Sequence, residues 1–232
     1  MNPPSTKSRG VLLGCVVSLS VALIAWVALD LYGHRQENLR DFNPREVARL
    51  DTAMWRSYYA KQRVALFFHL TELLRKEYHI PWLRSQGVAY QAAKAAFVFK
   101  EGRARNDYEQ ALPYLRRFYS AISSVSDAPF DAERAARLEL EWWIVHRERA
   151  RHAPGDLPRL LAETAAVMYH VPHEMLLEHG KLRAEAMRIR DARAQAGEVS
   201  EQDWSQIANL LDKSWHSLWQ AVNANNRVHQ LP

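Results

Sequence analysis

The densest group of potential metal ligands is a short run of histidines in the last third of the chain. His170, His173 and His179 fall within ten residues, and Glu174 directly follows the second of them. Zinc and iron sites need at least three such ligands that converge on one point. Pro172 bends the chain between the first two histidines, so both rings could face one point, whereas the third lies about 240° further round a helix. The segment predicts either a metal site on His170, His173 and Glu174 or a polar helix start with solvated side chains.

A second group of chemically capable side chains combines carboxylates, indoles and an imidazole. Its members are Glu139, Glu141, Trp142, Trp143 and His146. Glu139 and His146 are two turns apart on one helix face, with Trp142 between them. An apolar surround raises the pKa of a glutamate, which can then act as a general acid or base. The same pattern is typical of a packing surface whose polar edges reach solvent, so catalysis and packing are alternative interpretations.

Tryptophan is unusually frequent, with eight residues in the chain. Trp204, Trp215 and Trp219 lie close to one face of the last helical segment, and Trp142 with Trp143 forms a pair further upstream. Exposed indoles anchor protein partners, and buried indoles fill helical cores. These five residues are the candidate partner-binding residues, although core packing is the commoner use of such side chains.

Other chemistry is not indicated. Cys15 is the only cysteine and lies in a hydrophobic segment, which excludes thiol catalysis and thiol metal sites elsewhere. The sequence contains no nucleophile elbow, phosphate-binding loop, dinucleotide fingerprint or haem-attachment motif. The net charge of +5 comes from interspersed basic and acidic residues without a long basic run. We therefore expect no cofactor and no nucleic-acid partner.

The N-terminal region predicts a membrane span. Residues 11–29 carry no charge, and nineteen residues at a rise of ~1.5 Å cover most of a ~30 Å hydrocarbon layer. The stretch is longer than the apolar region of a cleaved signal peptide, and no small-x-small cleavage site follows it. A lipoprotein site at Cys15 is the rival interpretation, but the apolar stretch before that cysteine is too short. We predict a single-pass signal anchor over residues 11–32, in contact with membrane lipid, after a polar tail over residues 1–10.

The orientation of this span depends on the basic residues at its two ends. Lys7 and Arg9 lie close to its start, whereas Arg35 and Arg40 follow at a greater distance among acidic residues. Proximity favours an inside N terminus, and a count over a wider window slightly favours the opposite. We expect the N terminus inside and, if the source is bacterial, a periplasmic domain at the inner membrane.

The remainder of the chain predicts an all-α domain. Apolar residues recur at three- and four-residue steps, as in Val47, Leu50, Met54 and Tyr58, and no strand pattern is convincing. The composition, 48% apolar and 25% charged, is that of a globular domain. After a connector over residues 33–42, we predict a soluble domain over residues 43–223 and a flexible tail over residues 224–232. The domain should contain about seven helices, as stacked helical hairpins or a compact bundle.

Prolines place several of the helix boundaries. Pro44 predicts a helix start, and the pattern from there to Tyr78 predicts one long helix or two in line. Pro81 opens the next helix, and Pro113 should kink a later helix or delay its start. Pro172 interrupts the pattern before a strongly charged helix.

One stretch resembles a tetratricopeptide hairpin. Ala95 and Ala96 lie in a helix that ends near Gly102, and Asp107-Tyr108 opens the following helix. In that family, small residues let two helices approach and an acidic-aromatic pair begins the second. The resemblance covers about thirty residues, the connection is longer than the family's usual turn, and no second copy recurs at the 34-residue period. The resemblance implies a protein-binding scaffold.

Together these features predict a membrane-anchored helical module without enzymatic activity. It would bind another protein as an accessory or assembly subunit of a larger membrane complex. The alternative is a membrane-tethered metal-binding, hydrolytic or redox enzyme that uses the region from His170 to His179 or the face from Glu139 to His146. A third hypothesis is a lipid-surface sensor that uses the basic excess.

Overall fold

The computed structural model describes residues 6–224, and within that range the chain is all-α without a β-strand, as predicted. The α-helices are α1 (Thr6–Tyr32), α2 (Pro44–Tyr59), α3 (Arg63–Tyr78), α4 (Trp82–Glu101), α5 (Arg105–Glu109), α6 (Leu112–Ser123), α7 (Ala132–Arg147), α8 (Asp156–Tyr169), α9 (Leu177–Gln195) and α10 (Glu201–Val222). Two 3-10 turns, Arg149–Arg151 and His173–Leu176, follow α7 and α8. The predicted C-terminal tail lies outside the described residues except for its first position.

The N-terminal helix α1 is long and apolar enough over Gly14–Tyr32 to cross a membrane. Only 6% of this stretch is buried, so its apolar side chains do not contribute to the core of the domain. A row of exposed aliphatic side chains of this length matches the hydrocarbon layer of a bilayer. The helix begins at Thr6, so part of the predicted polar tail is helical.

A carboxylate joins α1 to the domain. Asp30 Oδ1 accepts hydrogen bonds from the backbone N–H groups of Leu83 (3.0 Å) and Arg84 (3.1 Å), in the first turn of α4. These N–H groups have no partner within their own helix, and an acidic side chain at a helix N-terminus also suits the helix dipole. The Arg84 guanidinium in turn donates to the backbone carbonyl of Gly33 at 2.9 Å. The joint fixes the position of the end of α1 against the start of α4.

The predicted connector over residues 33–42 belongs to the folded domain. Leu39 and Phe42 are buried in the main core. The backbone of Glu37 donates to Val125 at 2.7 Å and accepts from Asp127 at 2.9 Å, which forms a short bridge to the loop after α6. The domain therefore begins before residue 43, because apolar side chains in this segment are buried with those of the helices.

The main helices form a closed succession of neighbours. Each packs on the next in chain order, from α2 to α3, α4, α6, α7, α8, α9 and α10, and α10 packs back on α2. Short connections make consecutive helices antiparallel. Of the two predicted arrangements, stacked helical hairpins or a compact bundle, the described helices form successive hairpins whose first and last helices meet.

The prediction of one long helix, or two in line, between Pro44 and Tyr78 is wrong. The chain turns after Tyr59, and α2 and α3 pack against each other as a hairpin. Lys61 adopts a left-handed conformation with φ of 57° at this turn. Such a conformation normally favours glycine or asparagine, and the segment contains neither, so the sequence did not indicate a turn here.

Other predicted boundaries are confirmed. The Asn43 side chain caps α2 by accepting from the backbone N–H groups of Arg45 and Glu46. Pro113 is the second residue of α6, so it delays the start of that helix rather than kinking it. A proline is tolerated there because the first N–H groups of a helix have no intrahelical acceptor.

The hairpin that resembles a tetratricopeptide unit is formed by α4 and α6. The acidic-aromatic pair Asp107-Tyr108 lies on the short helix α5, within the connection, and not on the second hairpin helix. Tyr108 is buried there against Phe99, with ring centroids 4.9 Å apart. The resemblance therefore holds for a helical hairpin but not for its second helix start.

Candidate functional site

The three predicted metal ligands occupy the end of α8 and the turn that follows. His170 ends α8 in a left-handed conformation, and its Nε2 lies 3.2 Å from the carbonyl oxygen of Ala128. Nδ1 of His173 lies 3.4 Å from the carboxylate of Glu174. Both histidines line one cavity of about 530 Å³. Within residues 6–224, no group of three His, Cys, Asp or Glu side chains is arranged to hold a metal ion.

His179 is a core residue. Its Nδ1 lies 2.8 Å from the Ser214 hydroxyl and 3.1 Å from the Ser214 carbonyl, between α9 and α10. Burial, with the nearby charge of Arg183, lowers the pKa of His179 to about 4. The ring is therefore neutral at pH 7, and its Nδ1 contacts Ser214 on α10.

The carboxylate of Glu139 is surrounded by aromatic donors. Oε2 accepts from the Tyr119 hydroxyl at 2.8 Å and from Trp142 Nε1 at 2.7 Å, and Oε1 accepts from Trp143 Nε1 at 2.9 Å. Burial raises the pKa of Glu139, although the three donors oppose the shift. Trp142 and Trp143 thus direct their indole N–H groups towards a carboxylate on their own helix, α7.

His146, the other end of the predicted catalytic face, has different partners. Its Nε2 lies 3.4 Å from Asp191 Oδ2 on α9, and Arg149 contacts the same carboxylate oxygen at 2.6 Å. Burial lowers the pKa of His146, despite the attraction of Asp191. Glu139 is held by aromatic hydrogen-bond donors and His146 by an ionic cluster. The helix face therefore presents two separate packing contacts.

A buried ion pair joins α2 to α9, and sequence analysis missed it. The Arg183 guanidinium lies 2.5 Å and 3.3 Å from the two carboxylate oxygens of Asp51, and Trp215 Nε1 donates to Asp51 Oδ2 at 2.9 Å. Asp51 is 0% exposed. The guanidinium also lies over the rings of Trp55 and Trp215, 5.6 Å from each centroid. One signal was available, because Asp51 lies four residues after Val47 and four before Trp55, on the apolar face of α2.

Glu77 is a second acidic residue in this part of the core. The Tyr169 hydroxyl lies 3.5 Å from its Oε1. Burial raises the pKa of Glu77 to about 8, and the charge of Asp51 acts in the same direction. Burial by itself lowers the pKa of Arg183. The nearby acidic side chains of Asp51, Glu77 and Glu139 outweigh this effect and raise the pKa above its ordinary value. Arg183 thus lies close to three acidic side chains.

This polar cluster has the features of a structural element. Its carboxylates accept hydrogen bonds from side chains of the same domain. Asp51, Glu77 and Glu139 do not line the cavity at His170 or a second cavity at Trp219. Removing one partner of such a pair is strongly destabilising, because it leaves an uncompensated buried charge. The cluster therefore restricts which helices meet.

The tryptophans predicted to bind a partner are divided between core and cavity. Trp204 and Trp215 are buried in the two core clusters, so a partner cannot reach them in this structure. Trp219 is half-buried and lines a cavity of about 890 Å³ together with Phe42 and Trp82. Trp204 and Trp215 therefore serve core packing, which is the commoner use of tryptophan side chains.

The most exposed large apolar side chains outside α1 lie on α3 and α4, and sequence analysis did not single them out. Their exposed fractions are 72% for Val64, 65% for Phe68, 56% for Tyr90 and 56% for Phe97. Val64 and Phe68 are one turn apart on α3, and Tyr90 and Phe97 are two turns apart on α4. Because α3 and α4 are antiparallel neighbours, the first half of α3 lies beside the second half of α4. We call these four residues the α3–α4 surface.

Three other large apolar residues are exposed in residues 33–224, namely Tyr58, Trp82 and Met175. Tyr58 is the second-last residue of α2, close to the α2–α3 turn, and Trp82 begins α4 beside the Asp30 joint. Only Met175 lies away from α2, α3 and α4. The exposed apolar side chains are thus concentrated on one section of the domain.

Comparison with known proteins provides no family assignment. No protein-family model, no curated protein and no solved structure matches the chain.

Proposed function

We propose that this chain is a membrane-anchored helical module without enzymatic activity, which binds another protein through the α3–α4 surface. It would serve as an accessory or assembly subunit of a larger membrane complex. The observation that carries the proposal is the set of four large apolar side chains, each more than half exposed, on two adjacent helices. Exposed large apolar side chains on neighbouring helices are typical of interaction sites, and aromatic side chains contribute strongly to interface energies.

The N-terminal helix supports the membrane part of the proposal. Its apolar stretch spans 19 residues, and its end is held against α4 by Asp30. In this proposal the N terminus is inside and the domain is periplasmic, in the inner membrane of a bacterial cell. The test uses a Cys15→Ser, Ala192→Cys variant in spheroplasts. A membrane-impermeant maleimide should label it without permeabilisation, and labelling only after permeabilisation would reverse the orientation.

The binding part of the proposal is tested by extraction of the full chain from native membranes in mild detergent. Sizing and mass spectrometry then identify any protein that co-migrates in a fixed ratio. The Phe68→Ser, Phe97→Ser double variant should lose that partner. Burial of one such side chain contributes about 1.5–3 kcal/mol, so removal of two should weaken binding by well over tenfold.

Met175→Ser is the matched control, because Met175 is also an exposed large apolar residue but lies on the turn after α8. This control should keep the partner. Circular dichroism and the thermal midpoint should be unchanged in both variants, since the substituted side chains are exposed. Migration of the wild-type chain alone, or equal partner recovery from all three proteins, would reject the proposed function.

A further inference from the structure

We infer that the segment which docks on the α3–α4 surface is an amphipathic helix whose apolar stripe is bordered by acidic side chains. This inference rests on the proposed function and adds the chemistry of the partner. It follows from the charges that surround the exposed apolar residues and from the shape that two antiparallel helices present.

The α3–α4 surface is bordered by five basic side chains. Lys61 and Arg63 precede Val64 at the α2–α3 turn, and the others are Lys94, Lys100 and Arg103, on or just after α4. None of the five forms an ion pair with an acidic residue in the described part of the chain. Lys94 keeps its Nζ 5.7 Å from the ring centroid of Phe97, so one of these charges lies directly beside the apolar surface.

Acidic residues are nearly absent from the two stretches of chain that contain the α3–α4 surface. Residues 58–70 and 90–104 contain one acidic side chain, Glu101, against the five basic ones. The whole chain, by contrast, has 31 basic and 26 acidic residues. Directly beyond this border the charges are paired, since Arg105 contacts both Glu109 and Glu141. Unpaired basic side chains are therefore in excess in the two stretches that contain the apolar surface.

The shape of the surface suits a helix. Packed helices lie about 8–10 Å apart and leave a shallow groove between them. Tyr90 and Phe97 are about 10 Å apart along α4, so a partner helix of three or four turns covers the exposed residues. An amphipathic helix that docks in this way places apolar residues at three- and four-residue steps in the groove and polar residues at its edges.

Charge decides which side chains belong at those edges. A partner with acidic side chains complements the five unpaired cations, and such complementarity determines specificity and association rate. A second copy of this chain would bring the same cations together, and juxtaposed like charges suppress binding. An anionic bilayer surface would also attract the cations, and the experiment below distinguishes it from a protein partner.

The experiment is photo-crosslinking of the full chain in native membranes, with the crosslinking amino acid benzoylphenylalanine at position 93. Ala93 is exposed and lies between Tyr90 and Phe97 on α4. The expected product joins this position to a segment of another protein, mapped by mass spectrometry, with apolar residues at helical spacing and acidic residues beside them. The matched control carries the same amino acid at the exposed helical position Ala192 and should not give this product.

Charge reversal tests the electrostatic part. Lys94→Glu with Lys100→Glu should lower the crosslink yield at least tenfold, and added salt should lower the yield for the unreversed chain. Lys181→Glu with Lys213→Glu, which changes two exposed lysines on α9 and α10, should leave the yield unchanged. Equal yields from the two charge variants would overturn the inference.

The crosslink product also separates failure of the inference from failure of the proposed function. A product with a basic or uncharged protein segment would overturn the inference but leave the binding function standing. A product only with lipid, or only with a second copy of this chain, would overturn both. Co-migration of a partner that does not crosslink at position 93 would keep a binding function but reject this surface as its site.

Discussion

Trp215 donates its indole N–H to the carboxylate of Asp51 at 2.9 Å, although the two residues are 164 positions apart. Asp51 lies on α2 and Trp215 on α10, so the contact joins the first and last helices of the closed succession. Arg183 on α9 binds the same carboxylate at 2.5 Å. One buried acid therefore connects three helices.

Loss of the Asp51 carboxylate should destabilise the fold strongly. Asp51→Ala leaves the Arg183 guanidinium without its partner, and breaking a buried pair in this way costs about 3–5 kcal/mol. We expect a decrease of this size in the free energy of unfolding, measured by urea titration of the tryptophan fluorescence of the detergent-solubilised chain. Asp51→Ala combined with Arg183→Met should recover part of the loss.

Asp212→Ala is the control for this variant, because the Asp212 side chain is 45% exposed. It should change the free energy of unfolding by less than about 0.5 kcal/mol. If Asp51→Ala were as stable as this control, the ion pair would not connect the three helices energetically.

Glu77 should make stability fall as the pH rises. Its pKa of about 8 in the folded protein exceeds the ordinary value of 4.5, so between these pH values the folded chain keeps a proton that the unfolded chain releases. The stabilisation that this proton contributes to the folded state is complete below pH 4.5 and is lost as the pH rises to about 8. Glu77→Gln removes the titration, so its stability relative to the wild type should increase across this range. The gain should reach a few kcal/mol, at about 1.4 kcal/mol per pKa unit.

The measurement for Glu77 is the difference in free energy of unfolding between variant and wild type at several pH values. Taking the difference cancels the titration of residues common to both proteins, His179 among them. Glu72→Gln, which removes the partly exposed partner of Arg75, should show no such trend. A flat difference for Glu77→Gln would mean that Glu77 is ionised in the folded protein.

Two glycine substitutions in helices should have opposite effects. A Cβ added at Gly180 would lie 2.1 Å from the backbone carbonyl oxygen of Pro158, where α9 crosses α8, whereas one added at Gly87 meets nothing within 4 Å. Gly87→Ala should stabilise the protein by up to about 1 kcal/mol, because alanine is the better helix former. Gly180→Ala should destabilise it by about 1–3 kcal/mol, since the helices must move apart. Equal thermal shifts for the two variants would contradict the close approach of α8 and α9.

The Asp30 joint should determine how rigidly α1 is held. Asp30→Ala removes the acceptor for the Leu83 and Arg84 N–H groups, and loss of such a cap costs about 0.5–2 kcal/mol. Spin labels at Leu23 on α1 and at Ala192 on α9, in a Cys15→Ser background, report the distance between helix and domain. The alanine variant should broaden the distance distribution. Asp30→Asn keeps a side-chain acceptor and should give a distribution close to that of the parent, and equal widths for all three proteins would show that the joint does not restrain α1.

The comparison of sequence and structure shows which features are local. The apolar N-terminal helix, the all-α fold, the helix start at Pro44, the delayed helix start near Pro113 and the break at Pro172 each depend on a few consecutive residues. Local sequence therefore predicted them. The turn at Lys61 is also local, but it was missed because its left-handed conformation occurs at a residue type that rarely adopts it.

The functional features depend on contacts between distant segments. Helical periodicity indicates that a face is apolar, but it does not say whether another helix covers that face. Trp204 is buried against α2, whereas Phe68 is exposed, although both are large apolar side chains within helices. Likewise, in the sequence Asp51 is simply one charged residue within an amphipathic helix. Only the packing of α9 and α10 places Arg183 and Trp215 against its carboxylate.

The sequence by itself thus determined that the chain forms helices, that its first helix can span a bilayer, and that its single cysteine lies in that helix. The tertiary structure decided which aromatic and acidic side chains are buried, that α10 returns to α2, and that the α3–α4 surface remains exposed. The physical reason is that burial depends on which helices pack together. That choice is made by the whole set of contacts between segments far apart in the chain, and no short stretch of residues encodes it.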